Sequence, residues 1–119
     1  MNRAEFDVFC GSLKASENVI QWGNSSVWKV GGKIFAICSV WGEGEERKIS
    51  FKCGDLSYQI LCELAGVIPA PYLARAKWVQ LVEEGALSDE DIKSYIVDAH
   101  TIITAKLTKA KQRELGLMA

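Results

Sequence analysis

The sequence predicts an α+β domain in which an antiparallel sheet of about five strands is covered by helices on one face. Three observations carry this. The strand-like segments are grouped, whereas a parallel sheet needs strands that alternate with helices. Gly23-Asn24-Ser25 and Gly31-Gly32 separate consecutive strand patterns and suit tight reversals, the latter a two-residue hairpin. The composition, 49% hydrophobic and 24% charged over 119 residues, supplies a core for one domain, residues 1–119, and excludes a disordered chain. No apolar run approaches the ~20 residues that span a bilayer. Met1 to Gly11 lacks the long apolar stretch of a signal peptide, so a cytoplasmic protein is expected.

Asn2 to Leu13 reads as the first helix. Asn2 with Glu5 makes a capping box, and Phe6, Phe9, Cys10 and Leu13 form the stripe. Ser16 to Trp22 enters a first strand centred on Val19 and Ile20. Val27 to Val30 is the second, with Trp28 and Val30 on one face and Val27 and Lys29 on the other. Lys33 to Val40 is apolar on both faces and therefore central. After the polar loop from Gly42 to Arg47, Lys48 to Cys53 alternates: Ile49, Phe51 and Cys53 on one side, Lys48, Ser50 and Lys52 on the other. These strands make an antiparallel meander. Asp55 is expected to cap a second helix with Leu56, Ile60, Leu61 and Leu64 as its stripe and Gly66 as its stop. Pro69-Ala70-Pro71 turns the chain into a fifth strand within Ala76 to Val82. Ser88 with Asp91 opens a third helix carrying Ile92, Tyr95, Ile96, Ala99, Ile103 and Leu107. Thr108 caps a short last helix that Gly116 ends.

Little in the sequence points to catalysis. Cys10, Cys38, Cys53 and Cys62 lack metal-ligand spacing and read as small core hydrophobes. His100 lies between Ile96 and Ile103 and is expected to be packed or hydrogen-bonded. The carboxylates at Glu45-Glu46, Glu83-Glu84 and Asp89-Glu90-Asp91 fall in loops or a helix first turn and read as solvated surface. Trp22 and Trp78 are expected in the core, Trp28 lies in a strand, and Trp41 sits beside the Gly/Glu loop. The net charge is −1. It hides two basic clusters, Lys29, Lys33, Arg47, Lys48, Lys52, Arg75 and Lys77 on the strands, and Lys106, Lys109, Lys111 and Arg113 in the tail. The tail reads as a plain solvated helix end, and the strand cluster as a surface of one sign.

Gln21-Trp22-Gly23, the run Val27-Trp28-Lys29-Val30-Gly31-Gly32-Lys33-Ile34-Phe35-Ala36, Ala70-Pro71-Tyr72-Leu73 and Ala76-Lys77-Trp78-Val79 resemble the YjbR/MmcQ family. The resemblance continues through Leu87-Ser88-Asp89-Glu90-Asp91 into Leu107-Thr108-Lys109. It implies a CyaY-like fold, also described as a double wing, two hairpin-like wings flanking a helical element. Family members are commonly labelled DNA-binding, and no catalytic set comes with the family. Where members often carry Ser-Tyr in the third helix this chain has Ala99-His100, which removes two hydroxyls. The fold also resembles frataxin-type iron-binding proteins, whose first helix is an acidic ridge. Glu5 and Asp7 alone do not make one, so iron is not expected.

The expected function is that of a small non-enzymatic domain that binds DNA weakly. Lys29, Lys33, Lys48 and Lys52 would contact phosphates, with Arg75 and Lys77 extending the surface. The alternative is a protein-interaction or small-ligand module using Trp28 and Trp41, with no nucleic-acid role. No catalytic residue, metal, cofactor or membrane is expected in either.

Overall fold

Asn2 makes the capping box that its spacing with Glu5 predicts. Its side chain accepts from the Glu5 N–H at 2.8 Å, and the Glu5 carboxylate accepts from the Asn2 N–H at 3.2 Å. From this start α1 runs Arg3–Gly11 and buries Phe6 and Cys10. A computed structural model describes residues 1–40 and 47–118 of the chain. Trp41 and the predicted polar loop over 42–46 lie outside the described residues.

The meander follows as β1 (Ser16–Gln21), β2 (Ser25–Val30), β3 (Lys33–Val40) and β4 (Arg47–Lys52). Helix α2 (Asp55–Leu61), β5 (Val67–Pro69), a 3₁₀ turn (Ala74–Ala76) and β6 (Trp78–Leu81) come next. The chain ends in α3 (Asp89–Ala105) and α4 (Lys109–Glu114). The sheet is antiparallel throughout, in the order β1-β2-β3-β4-β6-β5. Strand β5 is the one that the sequence conceals. It is three residues ending in proline, and its pattern cannot be told from a turn.

The two faces of the sheet differ. One packs Trp28, Val30, Phe35, Cys38, Ile49, Phe51, Val79 and Leu81 against Phe6 and Cys10 of α1, Leu61 of α2, and Ile92, Ile96, Ala99 and Ile103 of α3. Burying each of these large side chains contributes about 2 kcal/mol. Tyr95 stacks on Phe51, with ring centroids 5.7 Å apart. The other face carries a smaller cluster, Val27, Ile37, Ala70 and Trp78, roofed in part by Leu73 from the segment that follows β5. Among the described residues no helix covers the rest of that face.

The N-caps of the last two helices form, Ser88 accepting from the Asp91 N–H and Thr108 from the Lys111 N–H, each at 3.1 Å, although of the expected Ser88/Asp91 capping box only the Ser88 half is made. Three further expectations change. The cap of α2 is Gly54, and Asp55 is the first helical residue. Helix α2 ends at Leu61, before Gly66, and only Leu61 of the predicted stripe is buried. Seven residues set at the β5/β6 edge cannot bury a full stripe, so Leu56, Ile60 and Leu64 face solvent. Trp22, expected in the core, is 54% exposed in the β1–β2 turn, while Trp78 is buried.

The β2–β3 hairpin turn fixes one end of the sheet against α3. Gly31 and Gly32 have φ of +58° and +82°, as a two-residue reversal requires. A Cβ on Gly31 would lie 2.6 Å from Leu107 Cδ1, whereas one on Gly32 would meet nothing within 4 Å. Gly32→Ala should therefore cost about 1 kcal/mol from backbone strain alone, and Gly31→Ala about 2 kcal/mol or more because overpacking adds to it. Urea unfolding of the two variants checks the order, and equal midpoints would contradict the Leu107 contact.

Candidate nucleic-acid interface

The period-two alternation places Lys29, Lys48 and Lys52 on the sheet face away from the helices. Their cross-strand partners show it: Lys29 pairs with Ile34, Lys48 with Ser39, and Lys52 with Trp78. They do not form one cluster. Lys48 lies at the β3–β4 end, where it lines a cleft with Trp22 and Tyr72. Lys29 and Lys52 lie at the opposite end. Lys29 is half-buried, in register with Glu17 of β1.

Lys52 is only 8% exposed. Its Nζ donates to the carbonyl oxygen of Ala76, the last residue of the 3₁₀ turn. Burial, and next to it the charge of Lys106, hold its amine below the ordinary 10.5. The expected phosphate contact is corrected accordingly: Lys52 is buried, and its ammonium turns to the Ala76 carbonyl of the segment over residues 70–77 and not to solvent. Arg75, within the 3₁₀ turn, is exposed. Lys77 takes a left-handed backbone, φ +61°, and its Nζ sits 5.0 Å from the centroid of the Tyr58 ring.

Lys29, Lys33, Lys52 and Lys77 nonetheless share one end of four neighbouring strands, β2, β3, β4 and β6. Lys33 immediately follows the Gly31-Gly32 turn, and the Lys77 carbonyl accepts from the Cys53 N–H beside Lys52, at 2.9 Å. With strands about 4.8 Å apart, this row is about 15 Å wide. The tail completes it. Leu107 packs on Gly31, so the exposed Lys106 and Lys109 that flank Leu107 come to the same end. Lys106 and Lys77 both lie within electrostatic range of Lys52 and help hold its pKa down. Carboxylates stand near this end as well: Asp55 within range of Lys52, Asp98 within range of the adjacent Cys53, and Glu17 in register with Lys29. The sequence reading set Lys106 and Lys109 aside as a solvated helix end. The missing signal was long-range, the hairpin docking on Leu107.

Acids gather at the other end of α3. Asp89, Glu90 and Asp91 occupy its first turn, and Asp89 accepts from the Met1 amine at 2.9 Å. That hydrogen bond, with added help from Glu5 and Glu84, raises the amine's pKa despite burial.

Trp28 is corrected as an interaction residue. It is 9% exposed, and its Nε1–H donates to Asp7 Oδ1 at 2.9 Å. The same oxygen accepts from the Ser26 hydroxyl at 2.6 Å, which accepts in turn from Asn18 Nδ2 at 2.8 Å. This chain of bonds ties α1 to β2 and β1. His100 is placed as its spacing predicts, with Nε2 2.8 Å from the Lys14 carbonyl oxygen and its ring edge-on to Phe35. Burial pushes the Cys53 thiol up to about 12 and raises Cys10 as well, so neither is a thiolate nucleophile near neutral pH. Among the described residues no three His, Cys, Asp or Glu side chains group as metal ligands. No described helix is long and apolar enough to cross a membrane.

Comparison with known proteins places the fold. The YjbR family model matches residues 11–102. The crystal structure of Deinococcus radiodurans protein DR2400, with family-model domain DUF419, superposes with a TM-score of 0.83 at 22% identity, over 97% of this chain and 88% of that one. A crystal structure of a protein from Pseudomonas syringae superposes with a TM-score of 0.70 at 20% identity, over 87% of this chain and 99% of that one. No curated protein matches.

The buried amine of Lys52 predicts a pH dependence. Its folded pKa lies below 10.5. Between that value and 10.5 the unfolded chain holds the proton and the native chain does not, so this residue makes stability rise with pH through that window. Below the window the full cost of burying a cation persists. Urea midpoints from about pH 8 to about pH 10 should rise in the native protein relative to Lys52→Met. Parallel curves would show that Lys52 does not titrate differently on folding.

Proposed function

The chain belongs to the YjbR family, and on that premise we propose that it is a non-enzymatic, cytoplasmic domain that binds DNA weakly through its basic end. The observation that supports this is the convergence of two basic clusters, distant in sequence, on the β2–β3 turn and the α3–α4 junction. Lys29, Lys33, Lys106 and Lys109 offer ammonium groups, and Arg75 and Lys77 extend the surface. Lys52 strengthens the local field without reaching a phosphate. The β2–β3 hairpin with its glycine tip is the element that reaches the backbone, in the manner of a wing.

Such contacts position a protein on DNA and do not read its sequence. Of helix α4, which starts at Lys109, Gln112 is turned to the Leu107 carbonyl, so no base-reading role is assigned at this end. The reading is of non-specific association, governed by counterion release. A local excess of charge is sufficient for this, and a net charge of −1 is no obstacle to it.

With about four phosphates neutralised, affinity for a duplex should fall roughly a hundredfold between 50 and 200 mM salt. Lys33→Glu with Lys106→Glu should weaken binding by about tenfold or more at low salt and flatten that dependence. Lys48→Gln, at the far end of the sheet, should change little. Fluorescence anisotropy with a labelled duplex checks all three. No binding at low salt, or binding indifferent to the double reversal, would overturn the reading.

A further inference from the structure

The uncovered sheet face holds a second feature that DNA binding at the basic end does not use. A cleft of about 520 Å³ opens between the β1–β2 turn and the segment after β5. That volume is in the range of pockets that hold small ligands. Ile37, Ala70 and Leu73 give it apolar walls, and Ser50 and Gln80 lie in its floor.

Trp22 and Tyr72 stand at this cleft, 54% and 98% exposed. Both backbones are left-handed, with φ of +48° and +68°. Such a conformation is strained for a bulky residue and free of strain for glycine. Two aromatic side chains are thus displayed beside one cleft from positions where the backbone alone would select glycine. Strain kept at two positions that line one cleft points to a function for the rings.

The polar groups are equally selective. Gln80 Nε2 donates to Ser50 Oγ at 3.4 Å. Among the described residues that bond leaves the Ser50 hydroxyl proton and the Gln80 carbonyl oxygen to a ligand, an adjacent donor and acceptor. The hydroxyl protons of Ser25 and Ser39 are directed to the Trp22 and Lys48 carbonyls. Lys48 contributes a cation, and among the described residues no carboxylate lies within ion-pair distance of it.

We propose that this cleft binds a nucleotide, the base stacked on Trp22 or Tyr72 with its edge toward Ser50 and Gln80, and the phosphate on Lys48. Planar faces need an aromatic platform, a base edge needs a neighbouring donor and acceptor, and an anion needs the lysine. One chemistry has two sources here, a free mononucleotide or an unpaired base in a single strand.

Amide chemical shifts of ¹⁵N-labelled protein test it, with adenosine and uridine 5′-monophosphates as probes. Adenosine, ribose 5-phosphate, a single-stranded oligonucleotide and the matching duplex are the comparison arms. The mononucleotides should shift Trp22, Ser50, Tyr72 and Gln80 saturably, adenosine more weakly, and ribose 5-phosphate not at all. Tyr72→Ala together with Trp22→Ala should weaken binding about tenfold or more. Lys48→Gln should reduce a mononucleotide to the level of its nucleoside. Tyr72 is nearly wholly exposed, so Tyr72→Gly serves as a second variant that relieves strain while removing the ring. A single strand that binds here more tightly than the mononucleotide identifies the strand as the source, and the reverse identifies the free nucleotide. No saturable shift at these four residues, or affinity unchanged without the two rings, overturns the proposal. Shifts confined to Lys33 and Lys106 would overturn it while leaving the DNA reading intact, and cleft shifts without salt-sensitive duplex binding would do the reverse.

Discussion

Helix α3 lying along one face of the sheet is the contact on which the rest of the molecule depends. Ile92, Ile96, Ala99 and Ile103 bury against β2, β3 and β4, and Leu107 continues the line to the hairpin turn. Because α1 and Leu61 of α2 join the same cluster, every helix contribution to the core comes from one side. The opposite face is left to a short roof after β5. That asymmetry is why an open cleft exists on the sheet at all.

The same helix organises the charge. Its first turn carries three acids and its C-cap is Lys106, both matched to the macrodipole. This arrangement stabilises α3 whatever the protein binds. It also separates charge by the helix's own length, about 25 Å for 17 residues. The docking of Gly31 on Leu107 then delivers the strand lysines to the basic end. Net charge is a poor guide to partners in such a molecule, because the acids of the α3 first turn stand farther from the basic end than the ~8 Å screening length at physiological salt.

Much of this was legible in the residues. Period-two alternation correctly assigned both faces of β2 and β4, the capping box located α1, the Ser88 N-cap located α3, and Gly31-Gly32 fixed the hairpin. What failed were inferences that required tertiary information. The stripe of α2 is a genuine helical period, but a helix of two turns at a sheet edge has only Leu61 to bury. Trp22 looks like core by hydrophobicity, and its exposure follows from a left-handed turn that no sequence pattern marks. Lys52 shares the face of Lys48 and Ser50, opposite the apolar Ile49 and Phe51, as a surface residue should. Only the return of the chain over residues 70–77 buries it. The convergence of Lys33 with Lys106 spans over seventy residues and had no local signature.

The burial of Lys52 bears on how strongly the basic end can act. A cation held in the interior by one carbonyl oxygen raises the potential around it, as its depressed pKa and the influence of Lys106 and Lys77 indicate. It cannot displace a counterion from a phosphate, since it has no access to one. Lys77 is partly committed to the Tyr58 ring. Of the strand cluster, the exposed Lys33 and the half-buried Lys29 therefore remain for the proposed phosphate contacts, and Lys106 and Lys109 would bring the number to about four. Under the proposed reading, an interface of that size would fall in the range of non-specific complexes, roughly 10⁻⁴ to 10⁻⁶ M at physiological salt. Tighter binding would need energy from a source other than phosphates. On this molecule the exposed rings of Trp22 and Tyr72, on the uncovered face, are the side chains able to supply it.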